Sequence, residues 1–200
     1  MYNNMRAARQ AFTRESADAR RAALIEATAA CLAEQGLAGT NVRAICAKAG
    51  VSPGLLRHYF AGIDELIAAT YRATSDRMEA IFAEAVEAAG NDPRARLSAY
   101  LTASFRPPVT DPELLGAWTA FWALARSDAR MARIHAESYA GYRERLCELL
   151  EACGAPDAGR LAIMLTAMVD GLWLELSLDP ASFGAEAAVA MIERAVTALL

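Results

Sequence analysis

The side chains best suited to chemistry cluster in residues 42–60, where two short helical patterns flank a glycine-containing turn. In the second pattern Arg57 could present its guanidinium to a guanine edge, and Gly54 would let the backbone approach a duplex closely. His58 or Tyr59 could donate a hydrogen bond to a phosphate. The outward positions of this segment are Pro53, Gly54, Arg57 and His58, with Leu55 and Tyr59 at the edges. The pattern predicts a helix-turn-helix whose second helix enters the major groove of DNA.

Four residues around these helices complete the candidate DNA surface. Thr40 and Arg43, near the start of the first helix of the motif, are placed for phosphate contacts, and Lys48 adds positive charge before the turn. Ser52, followed by Pro53, suits the start of the second helix because the early backbone N–H groups of a helix lack partners. An alternative stays open, since the same spacing also suits an ordinary corner between two helices with solvated polar residues.

A second group of candidate binding residues is aromatic and lies beyond residue 100. Trp118, Phe121 and Trp122 fall on adjoining faces of one helix, and further aromatic side chains could converge on them from other helices, namely Phe105, Tyr139, Tyr142 and Trp173. Aromatic faces attract quaternary ammonium ions, and Asp170 or Glu175 could supply a counter-charge. This arrangement would suit a pocket for a quaternary ammonium ion. The alternative is that the aromatic residues are core or dimer interface and that Asp170 satisfies a neighbouring donor.

The remaining reactive side chains argue against catalysis. The chain has two histidines, no phosphate-binding glycine loop, no nucleophile elbow and no clustered metal ligands, so neither an enzyme nor a cofactor is expected. His135, followed by Glu137, suits a surface pair on a helix. The cysteines form no C-x-x-C pair and suit small buried residues, namely Cys31, Cys46, Cys147 and Cys153. An enzyme would have to use Asp170, Glu175 or His135 in an apolar pocket.

Charge is divided unevenly along the chain. The 200 residues carry a net charge of −4, which alone would disfavour a nucleic-acid partner. Residues 1–60, however, hold eight Arg or Lys against four Asp or Glu, a balance of +4, which leaves −8 for the remainder. Because phosphate contacts supply much of the affinity for DNA, this division predicts that DNA binds at the N-terminal end of an acidic body.

The elements that must position these residues are all helical. Alanine is abundant, 55% of the residues are hydrophobic, and no strand pattern competes. Glycine and proline breaks divide the chain into predicted helices at residues 19–35, 42–49, 53–60, 63–89, 93–105, 112–127, 128–153, 157–178 and 183–199. Thr40 suits the N-cap of the second helix, and Leu56 and Phe60 the inward face of the third. The fold class is therefore all-α, with an N-terminal arm and three-helix helix-turn-helix domain at residues 1–62 and a ligand-binding and dimerisation domain at residues 63–200.

The last two predicted helices bear on partners and location. They are too rich in Ala, Leu, Met and Val to face water all round, so a second copy of the chain would bury them. The most apolar run, residues 161–168, is short and is followed by Asp170 and Glu175, so no membrane span is expected. Residues 1–12 lack the apolar core of a signal peptide, which predicts a cytoplasmic protein.

Residues 50–60, GVSPGLLRHYF, and residues 40–49, TNVRAICAKA, resemble the recognition-helix region of the tetracycline-repressor (TetR) family. The number and order of the predicted helices are similar as well. The resemblance implies a two-fold dimer through a four-helix interface of the last two helices, and a palindromic operator. One departure is Ile63, where many members carry a lysine. A phosphate contact is then missing or supplied otherwise, and the N-terminus of the fourth helix remains available for a phosphate.

Within that family the chain is most similar to the betaine-synthesis repressor (BetI-like) branch, through residues 58–60 (HYF), 118–123 (WTAFWA) and 170–174 (DGLWL). This implies repression of genes for choline-to-betaine metabolism, with choline as an inducer. A ligand that favours one arrangement of the C-terminal helices would move the long fourth helix and change the separation of the two recognition helices. We therefore expect a repressor that a small molecule releases from its operator, with an activator or a protein-binding adaptor on the same fold as alternatives.

Overall fold

The computed structural model describes the backbone of residues 2–200 and the side chains of residues 17–200. Within that part the chain forms nine α-helices and no strand, which confirms the all-α fold class. The helices are α1 Tyr2–Gly39, α2 Val42–Ala49, α3 Pro53–Tyr59, α4 Ile63–Ala88, α5 Pro93–Thr102, α6 Pro112–Ser127, α7 Ala129–Ala152, α8 Ala158–Leu178 and α9 Ala185–Leu199. A 3₁₀ turn, Ala103–Phe105, follows α5.

The helix boundaries differ from the prediction mainly at the N-terminus. α1 begins at Tyr2 and not at residue 19, because neither glycine nor proline interrupts the chain before Gly36. Gly36 itself has a left-handed backbone, φ 61°, so it interrupts the helix as predicted, although a last turn continues to Gly39. The positive side chains counted in the N-terminal arm lie outside the described residues, namely Arg6, Arg9 and Arg14.

The start of α2 is capped by Asn41 and not by Thr40, so that prediction is wrong. The Asn41 side-chain oxygen accepts hydrogen bonds from the N–H groups of Arg43 and Ala44, each at 3.1 Å. Thr40 is buried, and its hydroxyl donates to the Gly36 carbonyl at 2.7 Å. Adjacent Thr and Asn both suit an N-cap, and the turn between α1 and α2 uses Thr40 to satisfy the end of α1.

Buried side chains form two clusters. The smaller joins α1, α2, α3 and the start of α4, and includes both predicted inward residues of α3, Leu56 and Phe60. The larger extends from α4 to α9 and includes Leu32 of α1. Because α4 contributes Leu66 to the first cluster and Phe82 to the second, it connects the two units. The division at residue 62 stays a prediction.

Isolated polar residues are placed differently from the prediction. His135 is half-buried, with Nδ1 2.9 Å from the hydroxyl of Tyr71, whereas Glu137 accepts from exposed Arg72 at 3.4 Å. The predicted His135–Glu137 surface pair is therefore wrong. Of the cysteines, Cys31 and Cys46 are buried as predicted, but the two on and after α7 are only half-buried, namely Cys147 and Cys153.

α6 approaches α1 very closely at Gly116. A Cβ at this position would lie 2.9 Å from the Cα of Ala33 and 3.0 Å from its carbonyl oxygen, so only glycine fits without a shift of backbone. α6 also carries Trp118 and Trp122. The helix that carries these two tryptophans is therefore in direct contact with α1, the first helix of the helix-turn-helix unit.

α8 and α9 leave large apolar side chains exposed, namely Ile163, Met164, Leu174, Leu178 and Met191. By length and composition alone α8 could cross a membrane, because its most apolar window has a mean hydropathy of 1.6, and 28% of that window is buried in the chain. The estimate from the short run at residues 161–168 therefore understated its apolar character. An exposed apolar face of this kind requires a partner surface that shields it from water.

Candidate DNA-binding surface and ligand cavity

α3 turns its predicted outward residues to solvent. Pro53, Gly54, Arg57 and His58 are exposed, while Leu55 and Tyr59 are half-buried at the edges. The Ser52 hydroxyl accepts from the N–H of Leu55 at 3.2 Å, so Ser52 caps α3. Gly50, with φ 64°, ends α2 in the left-handed conformation that the sharp turn requires. The local structure is thus a helix-turn-helix with an exposed second helix.

Not all of the predicted residues that flank α3 are free to contact DNA. Arg43 is exposed, but Lys48 is ion-paired with Glu34 at 2.7 Å. Thr40 is buried, and its hydroxyl is committed to Gly36, so its predicted phosphate contact is not supported. Arg21, which sequence reasoning missed, lies with its guanidinium carbon 5.1 Å from the ring centroid of Phe60 and adds a cation beside the end of α3.

The N-terminus of α4 does not suit a phosphate. Ile63 opens the helix, and Asp64 and Glu65 follow in its first turn. The Glu65 carboxylate accepts from the N–H of Ala61 at 2.6 Å. Two carboxylates at this helix end would repel a phosphate, so the structure does not favour the expected phosphate contact at this helix N-terminus, which stays a prediction.

A cavity of about 400 Å³ opens between α4 and α7 and reaches α5, α6 and α8. Six of the predicted ligand-binding residues line it, namely Trp118, Trp122, Tyr139, Tyr142, Asp170 and Trp173. Phe105 and Phe121 do not, because both are buried in the core, and Phe121 stacks on Tyr71 with ring centroids 4.4 Å apart. Glu175, the alternative counter-charge, is exposed on α8 outside the cavity.

A chain of hydrogen bonds leads from the aromatic wall to Asp170. The indole N–H of Trp122 donates to the Tyr139 hydroxyl at 3.0 Å, and this hydroxyl donates to the Asp170 carboxylate at 3.1 Å. Trp173 meets Trp122 edge to face, with ring centroids 5.8 Å apart. Its indole N–H has no partner among the described residues. The network holds one carboxylate against three aromatic rings from three helices.

Burial raises the pKa of Asp170 to about 6, and the hydrogen bond from Tyr139 and the nearby Arg143 oppose that rise. The carboxylate is therefore mostly ionised at pH 7, although its charge is poorly solvated. Burial and Arg143 also lower the pKa of His135, which favours a neutral imidazole beside Tyr139. An organic cation in this end of the cavity would complement the Asp170 carboxylate.

Comparison with known proteins agrees with both parts of this geometry. Residues 24–70 match the family model described as bacterial regulatory proteins, tetR family, and residues 93–200 match the model described as BetI-type transcriptional repressor, C-terminal. The chain belongs to the TetR family of transcriptional regulators, in its BetI-like branch. It is thus a DNA-binding regulator and not an enzyme. TetR-family regulators bind operator DNA and small-molecule effectors and act as dimers.

Individual relatives and solved structures support the assignment. The HTH-type transcriptional regulator BetI of Rhizobium meliloti (strain 1021) is 36% identical over 182 residues, with 90% of this chain and 89% of the relative covered. A Pseudomonas aeruginosa PAO1 protein, assigned as a transcriptional regulator, is 42% identical, with a TM-score of 0.82 over 91% of this chain and 90% of that one. A Saccharomonospora viridis protein in complex with choline shares the fold at 15% identity, with a TM-score of 0.80 over 88% of this chain and 95% of that one.

Sequence reasoning missed the charged mouth of the cavity in this TetR-family regulator. Five charged residues of α4 and α7 line it, namely Arg72, Asp76, Glu79, Glu137 and Arg145. With Asp170 inside, the lining has four carboxylates and two guanidinium groups. The only available signal was the helical spacing of the α4 members, which places them on one face. The excess of negative charge favours a cationic ligand.

Proposed function

We propose that this regulator is a repressor that a quaternary amine releases from a palindromic operator. The observation that carries the proposal is the contact of Tyr139 with Asp170 inside a cavity walled by tryptophan rings. Aromatic faces and a half-buried carboxylate together form the environment that stabilises an ammonium ion without a hydrogen-bond donor. Trp118, Trp122 and Trp173 supply the faces, and Asp170 supplies the charge.

The energetics of Asp170 favour such a ligand. An ionised carboxylate is poorly solvated in a cavity that excludes part of the water. The raised pKa of Asp170 reflects this unfavourable burial of charge. A cation bound nearby would stabilise the ionised form and lower that pKa again. Binding therefore relieves an unfavourable charge that the unliganded protein must tolerate.

The comparisons support the repressor role and the ligand class. The model that matches residues 93–200 is described as a transcriptional repressor, and the Saccharomonospora viridis protein of the same fold was crystallised with choline. We infer that choline or a related quaternary amine is the inducer and that the regulated genes serve choline-to-betaine metabolism.

α3 supplies the proposed contacts to DNA. Arg57 reads a base edge in the major groove, while Arg43, His58 and Tyr59 contact phosphates. Lys48 reaches a phosphate only by leaving Glu34. The turn and start of α3 bring the backbone close to the duplex, through Ser52, Pro53, Gly54 and Leu55.

The exposed apolar face of α8 and α9 is the proposed dimer interface. A second copy would cover Ile163, Leu174, Leu178 and Met191 through a two-fold axis, giving a four-helix contact. A two-fold dimer presents two α3 helices to successive half-sites of a palindrome. This cover also accounts for the apolar character of α8 without a membrane, and a DNA-bound regulator is expected in the cytoplasm.

Two helices connect the cavity to the DNA surface. α4 contributes Phe82 to the cavity wall and Leu66 to the core beneath α3. α6 carries Trp118 and Trp122, and at Gly116 its backbone lies directly against the backbone of α1. A ligand that favours one arrangement of α4 or α6 would change the separation of the two α3 helices in the dimer and lower the affinity for the operator.

Tryptophan fluorescence tests this function, because all three tryptophans of the chain line the cavity. The purified protein is titrated with choline, betaine aldehyde, betaine and unrelated neutral and anionic metabolites. A saturable response to the quaternary amines, accompanied by release of DNA, is expected. A response only to unrelated metabolites would refute the ligand class, and tighter binding of DNA with choline would refute the release mechanism.

A further inference from the structure

The cavity is larger than a small quaternary amine requires. A protein cavity of about 150 Å³ accommodates benzene, and choline has about as many non-hydrogen atoms as benzene. The cavity in this chain measures about 400 Å³. More than half of its volume would therefore stay empty or hold water around choline alone.

The cavity is also elongated along α4 and α7. Its lining residues on α7 run from Ile134 to Arg145, and those on α4 run from Arg72 to Ala83. At 1.5 Å per helical residue each stretch spans about 16 Å. The two helices are matched along this length, since Ser138 contacts Ser75 near one end and Tyr142 contacts Phe82 farther along.

Two parts of the cavity, which we name the Asp170 end and the Tyr142 end, lie about one helical turn apart on α7 and differ in chemistry. The Asp170 end contains Asp170, Tyr139 and Trp122, with their hydrogen bonds. The Tyr142 end contains Phe82, Tyr100 and Tyr142, whose ring centroids lie 5.0 to 5.7 Å apart. Met78 and Ser104 also line the cavity, and the wall of this second end is mainly aromatic, with a buried Tyr142 hydroxyl that has no partner among the described residues. Charged side chains appear again only at the mouth.

We propose that the effector is an ammonium ion that carries an apolar tail of several atoms. The cationic head lies at the Asp170 end, and the tail extends along α7 to the Tyr142 end. This inference rests on the proposed function and narrows its ligand class to a substituted amine longer than choline. The size of the cavity, its length and the aromatic wall of its second end together favour such a tail.

Gly141 offers a way to narrow the cavity from the α7 side. It is an exposed lining residue of α7, one turn after Glu137 of the mouth, and a Cβ added there would meet no atom within 4 Å. Leucine at this position would therefore fill open space without a clash. It would also favour the helix, since glycine is a weaker helix former than leucine. Ala140, exposed beside it and outside the lining, provides a matched control.

The test is calorimetric titration of the full-length protein with tetramethylammonium and with butyl- and hexyltrimethylammonium. For the unmodified protein, affinity should rise by up to roughly fourfold for each methylene that becomes buried. Gly141→Leu should remove most of this gain while tetramethylammonium binds as before, and Ala140→Leu should retain the gain. Circular dichroism would verify that both variants are folded.

Each outcome bears on the proposal. If tetramethylammonium binds but longer chains bind no better, the tail is refuted, while the proposed function stands. If the gain persists in Gly141→Leu, the tail does not extend toward Tyr142 and the placement is refuted. If none of the ammonium ions binds, the proposed ligand class fails together with this inference.

Discussion

Replacing Asp170 by asparagine removes the charge from the cavity and keeps an oxygen that can accept from Tyr139, as the carboxylate does at 3.1 Å. Shape and the hydrogen bond are largely retained, so the variant isolates the electrostatic contribution of the carboxylate. It should have two opposite effects, one on the stability of the unliganded protein and one on the binding of cations.

The effect on stability follows from the pKa of Asp170, which burial raises from 3.8 to about 6. A difference of this size corresponds to about 3 kcal/mol of unfavourable charge burial at neutral pH. Because the folded-state pKa is above the unfolded value, the stability associated with the protonated group is complete below about pH 4 and is lost as pH rises through 6. Asp170→Asn should therefore be more stable than the unmodified protein at pH 7, by up to about 3 kcal/mol, with the difference vanishing near pH 4.

The effect on ligand binding has the opposite sign. An ammonium ion about 5 Å from the carboxylate gains about 3 kcal/mol at an effective dielectric constant of about 20. Asp170→Asn should therefore bind choline about a hundredfold more weakly. The uncharged analogue 3,3-dimethylbutan-1-ol has nearly the same shape, and its affinity should change little.

Both effects are measured on the same samples, by urea denaturation between pH 4 and 8 and by calorimetric titration at pH 7.5. Glu144→Gln is the matched control, because Glu144 is exposed on α7 outside the cavity lining. Equal losses of affinity for choline and for its neutral analogue would indicate a change of shape and refute the electrostatic argument. Unchanged affinity for choline would remove Asp170 from the binding site.

Further predictions concern the DNA surface, the cavity and the dimer. Arg57→Ala should weaken specific DNA binding by about 1 to 3 kcal/mol and relax the base preference at one position of each half-site, as measured with a panel of operator variants; equal losses on all sequences would instead indicate a phosphate contact. Trp122→Ala should abolish the response to the ligand and leave operator binding intact in the absence of ligand; a normal response would assign Trp122 to the core. Choline affinity should fall as pH drops below 6, where Asp170 becomes protonated, and a pH-independent affinity between 5 and 8 would contradict this role. Ile163→Glu should convert the dimer to monomers in sedimentation velocity, since Ile163 is 62% exposed in the single chain; a persistent dimer would place the interface elsewhere.

The helices of this chain were predictable because their breaks are explicit. Glycine and proline interrupt the apolar periodicity between most of the helices, and these signals are local. The choice between Thr40 and Asn41 as cap of α2 was not predictable, because both residue types suit the position and a contact with the end of α1 decides it. The length of α1 was underestimated because the polar residues before position 19 were interpreted as an extended arm, although no helix breaker is present before Gly36.

The cavity was predictable in part. Aromatic spacing on α6 identified Trp118 and Trp122, but the same spacing could not separate them from Phe121, which turns to Tyr71 in the core. The helical spacing of the charged residues on α4 did not identify the mouth, because a charged residue such as Glu79 has the same sequence pattern on a cavity rim as on any solvated helix face. Tertiary packing alone makes that distinction.

The most direct test of the account is operator release in fluorescence anisotropy. A duplex selected from a random-sequence pool by the purified dimer is labelled, bound and titrated with a quaternary amine that the calorimetry has shown to bind. We predict that anisotropy falls to the value of free DNA at saturating amine, and that Asp170→Asn requires an amine concentration about a hundredfold higher. Anisotropy that stays constant while the amine occupies the cavity would contradict the claim that this ligand controls DNA binding.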